Sequence, residues 1–452
     1  MEKDGNGTTA ENRVRLQAKG RSRAEILKDL EASHSRDTDW HGGKTWGLVY
    51  HAGDEHTDFL KEAYGTYFHQ NALNPNAFPS LKKYEAEVIS ISCNLLGGNE
   101  KACGTMTSGG SESIMMAVKT YRDWARETKG ITAPEMILPV TAHPAFDKAL
   151  QYFQVKAVWA DVGPDYKVDV AKIASLITPN TICIMGSAPQ YPHGVVDPIT
   201  ELGKLAKSKG IGLHVDACVG GFLLPFLRKL GRDIPPFGFE VEGVTSISAD
   251  LHKYGFAAKG ASLILYHSKE LRRFQFFVST NWPGGIFASP SMTGTRPAGS
   301  IAAAWGTLQA YGEEGYLNVG REILANTELL MAGIRALGFA IVGEPIASIF
   351  AFRHDTVDVF AICEQMDKKG WYIDRQQNPN CLHLMVTPAH TLIIGTFLKD
   401  LAESLATVKA HPELSQEGTA AMYGMCAQIP DRSQISGFLY EFMDSRYSTE
   451  GL

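Results

Sequence analysis

Six short apolar runs, "MILPV", "AVWADV", "TICIMGS", "GLHVDA", "SISAD" and "SLILY", follow one another between residues 136 and 266, spaced by helical or polar segments. Runs so uniformly apolar are buried on both faces, which points to a mostly parallel sheet covered by helices, an α/β fold. A sheet of this kind binds its ligand beyond the carboxyl ends of its strands. Attention therefore falls on the polar residues that end or follow the runs: His143, Asp216 and Lys253.

The flanks read differently. A helical pattern covers Glu55 to Tyr67, and "NALNPNAFPS" breaks it with two prolines. "LKKYEAEVISISCNLL" is amphipathic, with Leu81, Tyr84, Val88, Ile91 and Leu95 at three- and four-residue spacing. Beyond residue 300 the pattern turns to long helices, and a short α+β region runs from "FAIVGEP" through "CLHLMVTP". With the boundary at "TGTRPAGS", the expected division is an N-terminal arm over 1–55, a large domain over 56–300 and a smaller α+β C-terminal domain over 301–452. A chain of 452 residues suits such a division better than one simple core. The net charge of -6 gives no electrostatic case for nucleic-acid binding. Seven scattered cysteines with no C-x-x-C pair suit reduced thiols. The polar N-terminus has no signal-peptide core, and no run approaches the roughly 20 apolar residues a spanning helix needs. The chain thus reads as soluble and cytoplasmic, and no metal site is nominated.

Three motifs carry chemistry. "TMTSGGSES" (105–113) opens a helix, where glycines permit a tight turn and free N–H groups favour an anion. It matches neither G-x-G-x-x-G nor the nucleotide P-loop. Ser108 and Ser111 there suit a phosphate or simple helix capping. Asp216 in "HVDAC" is costly to bury unless it meets a cation, either a protonated pyridine nitrogen or an arginine. His143 in "TAHPAF" is structural or stacks on a ring. Lys253, directly after His252, is a solvated loop residue or, if buried, an amine able to form a Schiff base. Taken together, a phosphate cradle, a stacking His, an Asp for a pyridinium and a Lys for an aldehyde describe pyridoxal 5′-phosphate.

The order "SGGSES", "AHPAF", "HVDAC", "DLHKY" resembles the pyridoxal-phosphate-dependent decarboxylase group of the aspartate-aminotransferase fold (fold type I). Within it, "PQYPHGVVDPI", "HVDACVGGFLLPF", "GVTSISADLHKYGFAAKGASLILY", "QFFVST", "GGIFASPSMTGTRPAG" and "AMYGMCAQIPDR" resemble the sphingosine-1-phosphate lyase family, in its soluble bacterial type. Animal members carry a membrane-spanning segment before the catalytic region, and this chain shows none.

The resemblance implies roles. Lys253 holds the cofactor aldehyde, Asp216 faces the pyridinium and His143 stacks on the ring. Gly110, Ser111 and His252 bind the cofactor phosphate, with Ser108 and Thr295 also among the cofactor-binding residues. Tyr50 and Lys259 grip the substrate phosphate. Asn74 stands where the family has a histidine, keeping hydrogen-bonding capacity without charge. The expected substrate is a phosphorylated long-chain base, cleaved between C2 and C3 to a fatty aldehyde and phosphoethanolamine. Lys253, Tyr191 and His193 are all candidates for the base. An amino-acid decarboxylase of the same fold would use the same cofactor residues, with a carboxylate pocket in place of the phosphate pocket. A homodimer is expected, with "GGIFASPSMTGTRPAG" reaching towards the neighbouring subunit.

Overall fold

In a computed structural model, residues 16–448 are described, apart from 75, 419 and 422–431. The motif "AMYGMCAQIPDR" therefore lies almost wholly outside the described residues. All six apolar runs form strands of one seven-stranded sheet. Its members are β1 (Cys103–Thr107), β2 (Glu135–Pro139), β3 (Lys156–Ala160), β4 (Thr181–Ser187), β5 (Gly212–Asp216), β6 (Ser246–Ala249) and β7 (Ser262–Tyr266), in the spatial order β1-β7-β6-β5-β4-β2-β3. The pairings from β3 to β6 are parallel, and β7 runs antiparallel to both neighbours. The sheet is mostly parallel, as expected. β1 was not anticipated: "CGTMT" mixes glycine and threonine and has no apolar run of its own.

Register decides where the site sits. Ser187 pairs with Asp216 and Asp216 with Ser248, so the carboxyl ends of β4, β5 and β6 are level. Thr107, the last residue of β1, pairs with Ser262, the first of β7. The turn after β1 therefore opens beside the loop that precedes β7. One face of the sheet packs Leu213, Val215, Ile247 and Leu263 into the main core, while Met185, Ile264 and Tyr266 join Met116 and Phe146 on the other. Burial on both faces makes this edge a rigid platform.

A two-stranded hairpin, β8 (Phe277–Ser279) and β9 (Phe287–Ser289), precedes the 39-residue helix Ala298–Ala336. That helix begins beside the boundary expected at "TGTRPAGS" and kinks at Gly312, whose φ of 53° a side chain would oppose. The C-terminal unit is an antiparallel sheet of β10 (Ala340–Ile341), β11 (Ile349–Arg353), β12 (Asp374–Gln376) and β13 (Cys381–Met385), covered by the helices Val359–Lys368 and Ile394–Ala410. Part of the segment expected as an arm is built into it: Thr45 bridges to Tyr372, and buried Trp46 stacks on His390 at 4.0 Å and packs edge-on to Phe397. Among the described residues no helix is long and apolar enough to cross a membrane.

Candidate active site

A cavity of about 420 Å³ opens at the level edge of the sheet. Eight of the residues singled out from the sequence line it: Ser108, Gly110, Ser111, His143, Tyr191, Asp216, His252 and Lys253. The turn after β1 forms one wall and runs into the helix Gly110–Lys129, whose first N–H groups have no partner within the helix. Glu112, not anticipated, locks this turn. Its Oε2 accepts from both the N–H and the hydroxyl of Ser108, at 2.6 Å each, and its Oε1 accepts from the Met292 N–H at 2.9 Å. Gly110 is required by contact. A Cβ there would stand 2.8 Å from Asp250 Oδ2 and 2.9 Å from the Cys218 sulfur.

The floor is charged and nearly dry. Asp216, 8% exposed at the end of β5, accepts from the Cys218 N–H at 3.0 Å and the Ser248 hydroxyl at 3.2 Å. Lys253 Nζ lies 3.1 Å from Asp250 Oδ2. Burial opposes the ammonium, yet Asp250, with Cys218 and Asp216 beside it, outweighs burial and raises its pKa. Asp250 is the floor residue that sequence reasoning missed. It is buried, its carboxyl is held below the usual range by Lys253 and His252 against the cost of burial, and its Oδ1 has no hydrogen-bond partner. The one available signal was its place three residues before Lys253 in "DLHK". His252 accepts the Ala261 N–H on Nδ1 at 3.2 Å and turns Nε2 towards Asp250 at 3.7 Å. His143 accepts the Ala145 N–H on Nδ1 at 3.1 Å, and burial lowers its pKa, so a neutral ring is favoured.

Apart from Tyr191, none of the remaining nominated residues lines the cavity, although Tyr50 and Lys259 lie close enough to its floor to interact electrostatically with Asp250 and Lys253. Lys259 Nζ stands over the Tyr50 ring, 5.0 Å from its centre, and donates to the Leu48 carbonyl at 2.8 Å. The Lys259 side chain keeps contact with solvent, but protein packed around it and the charge of Lys253 bring its pKa down to about 8. The Tyr50 hydroxyl touches Met385 Sδ at 3.1 Å, and burial and Asp250 keep the phenol protonated. Tyr191 donates its hydroxyl to Asp374 Oδ2 at 2.8 Å. His193 does not line the cavity: it is buried, bonds Gln190 Oε1 through Nδ1 at 3.2 Å and packs on Tyr166, and burial takes its pKa to about 4. Asn74 and Thr295 are exposed and also outside the cavity lining. Asn74 Oδ1 accepts from the N–H groups of Asn76 and Ala77, and Thr295 accepts from Asn71 Nδ2 at 3.3 Å.

A level strand edge, a glycine turn opening a helix, and a lysine among carboxylates define a fold type I pyridoxal-phosphate enzyme. Residues 79–355 match the pyridoxal-dependent decarboxylase conserved domain. A sphingosine-1-phosphate lyase from Oryza sativa is 45% identical over 98% of this chain and 84% of its own. The structure of a sphingosine-1-phosphate lyase from Burkholderia pseudomallei superposes with a TM-score of 0.88 at 34% identity, covering 96% of this chain and 97% of that one. A glutamate decarboxylase from Lactobacillus brevis shares the fold with a TM-score of 0.77 at 17% identity, over 91% of this chain and 98% of that one. The chain belongs to the sphingosine-1-phosphate lyase family of pyridoxal-dependent decarboxylases.

The residues present fit pyridoxal phosphate on their own chemistry. The cavity is of cofactor size, its glycine turn tolerates no Cβ at 110, and the buried Asp250 Oδ1 lacks a partner on a floor that also holds the Lys253 amine.

Proposed function

We propose that this chain cleaves the C2–C3 bond of phosphorylated long-chain bases such as sphingosine 1-phosphate, giving a fatty aldehyde and phosphoethanolamine. The observation that carries the reading is the Lys259–Tyr50 pair, a cation over an aromatic ring close enough to Lys253 for the two ammonium charges to interact. A phosphate monoester needs such a grip, because a cationic donor makes a charge-assisted hydrogen bond to an arriving dianion.

In this reading Lys253 holds the cofactor aldehyde and Asp216 faces its pyridinium. His143 covers the ring, and Ser108, Gly110, Ser111 and His252 hold its phosphate. When bound, pyridoxal phosphate supplies the sink for the electron pair released at C2. The chain's own residues orient the base, exclude water and take the C3 hydroxyl proton. Thr295 and Asn74 act from the rim, in a homodimer whose two copies meet around the β8–β9 hairpin. The exposed apolar side chains there support that arrangement: Phe277, Val278, Trp282 and Ile286 face solvent in the single chain. A division into an N-terminal segment over 1–55, of which Thr45 and Trp46 pack into the C-terminal unit, a large domain over 56–300 and a small one over 301–452, and a cytoplasmic setting, complete the proposal.

Product analysis tests it. Incubation with a phosphorylated long-chain base should release aldehyde and phosphoethanolamine, and the unphosphorylated base should react poorly. Carbon dioxide from an amino acid, with no aldehyde from the phosphorylated base, would mean a decarboxylase instead.

A further inference from the structure

Outside the cofactor cavity, three metal-ligating side chains gather where the N-terminal segment runs into the helix Asp54–Thr66: His41, His51 and Asp54. One ligand atom from each lies within 4.8 Å of the other two. The chain folds back at Gly53, whose φ of 105° suits glycine alone. Asp54 thereby opens the helix with its carboxylate beside both imidazoles. Its Oδ1 stands 2.7 Å from His41 Nε2 and 3.6 Å from His51 Nε2. Trp40 walls the cluster, edge-on to the two histidine rings at 5.4 and 5.5 Å. Between the histidines, Thr45 and Trp46 are anchored in the C-terminal unit, so the intervening chain is held.

A count of protons shows what the cluster lacks. Thr57 has one hydroxyl proton, which goes to the Gly53 carbonyl at 3.0 Å. The Thr57 oxygen then accepts from His51 Nδ1 at 3.4 Å, so the proton of that ring sits on Nδ1. The His51 side chain is 11% exposed, and burial, aided by His41 and His56, outweighs Asp54 and favours the neutral ring. His51 Nε2 therefore turns a lone pair to the Asp54 carboxylate with no proton between them. Two acceptors face each other, and a cation that binds both converts the repulsion into attraction. A histidine with one ring nitrogen held by an outer partner and the other aimed at a carboxylate has the arrangement of a metal ligand.

The geometry points to a divalent-cation site at His41, His51 and Asp54, taking a transition ion of the zinc class through two imidazole nitrogens and one carboxylate oxygen. Zinc and its neighbours in the series accept such mixed sets, whereas magnesium and calcium favour oxygen ligands. The His41 and Asp54 side chains are 61% and 70% exposed, so the remaining coordination positions open to water. Bound there, the ion clips the chain that carries Tyr50 to the helix that follows it. The site is independent of the lyase reading.

The test is calorimetry with zinc chloride on the cofactor-loaded protein, first freed of metal by a chelator. One equivalent should bind per chain with a micromolar dissociation constant, and magnesium chloride should give no signal. The thermal midpoint should rise with zinc, as for any ligand of the folded state. His41→Ala and Asp54→Asn alter exposed side chains, so they should keep the circular dichroism and each weaken binding more than tenfold. Thr57→Val leaves all three ligands in place and should weaken binding about tenfold by releasing the His51 ring. The six described cysteines are buried and offer no rival thiolate. Copper(II) in place of zinc should show imidazole nitrogen ligation by electron paramagnetic resonance, diminished in His41→Ala. No zinc binding by the unmodified protein, or equal binding by His41→Ala and Asp54→Asn, would overturn the site. Unchanged affinity in Thr57→Val would count against it, because His51 would then not be the oriented ligand.

Discussion

Asp216, Asp250 and Lys253 at the cavity floor find their partners within one chain, whereas Trp282 and Ile286 at the rim stand 57% and 84% exposed. Asp216 ends β5 and Asp250 follows β6 directly, where register keeps the strand ends level, and Lys253 pairs with Asp250 at 3.1 Å. The rim, residues 277–297, is a short hairpin and a loop tied back by Ala72 N–H to the Arg296 carbonyl and by Asn71 to Thr295. Apolar area left in water on that scale is normally covered in the working assembly. In the proposed homodimer, the chemistry is built by one chain and access to it by two.

The sharpest way to break the comparison is at the floor. Lys253→Ala should abolish the absorbance of the lysine-held cofactor and lower turnover by on the order of 10⁴-fold or more, with circular dichroism unchanged. Substantial residual turnover would move the covalent role to Lys259 and leave the floor without its centre.

At the rim, sedimentation should show a dimer for the unmodified protein. Replacing two apolar anchors, in Trp282→Ala with Ile286→Asp, should raise its dissociation constant by on the order of 10²–10³-fold, and activity should fall with dilution. A fully active monomer would erase the distinction between floor and rim.

Between them lies the substrate phosphate. Tyr50→Phe and Lys259→Met should each lower kcat/KM about ten- to a hundredfold, the worth of a charge-assisted hydrogen bond, without bleaching the cofactor. The pH dependence has a definite sign. Lys259 is depressed to about 8, so it loses its charge as pH rises through that value, and kcat/KM for a phosphorylated substrate should fall there. In Lys259→Met that alkaline limb should vanish. A limb that persists belongs to another group.

Much of the floor was legible in the sequence. Apolar runs made β2 to β7 readable, although only β2 and β4 to β7 are buried throughout and the edge strand β3 is largely not, and the polar residues ending them fell where such sheets bind ligands. What stayed hidden depends on approach between distant segments. β1 escaped because its strand character comes from pairing with β7, not from its own residues. Asp374 escaped because its partner Tyr191 lies 183 positions away, and periodicity says nothing about such meetings. His193 drew attention as an ionisable neighbour of Tyr191, yet the chain turns it into the core beside Tyr166. Glu112 sits in the first turn of its helix and also clamps the rim loop at Met292.

The smallest expected effect discriminates most finely, because Asn74 lies outside the cavity lining yet is nominated for the substrate phosphate. In the single chain its carboxamide is spent on its own turn, accepting from Asn76 and Ala77, and it is exposed outside the cavity. If it meets the substrate phosphate only from a neighbouring copy, it contributes one neutral hydrogen bond, about 0.5–1.5 kcal/mol, so Asn74→Ala should cost roughly two- to tenfold in kcat/KM. The cofactor absorbance should not change, because no floor residue bonds it. Asn74→His would offer a charge when protonated, and phosphate prefers a charged donor. That variant should therefore exceed the parent in kcat/KM below about pH 6.5 and lose its advantage above it. Mixed dimers give the decisive arrangement. One copy carries Lys253→Ala and the other Asn74→Ala. If Asn74 serves its neighbour's site, the only competent floor faces the only intact Asn74, and half the parental activity should survive. If Asn74 serves its own floor, the surviving half should show the two- to tenfold loss, and the rim would then belong to the same chain as the floor.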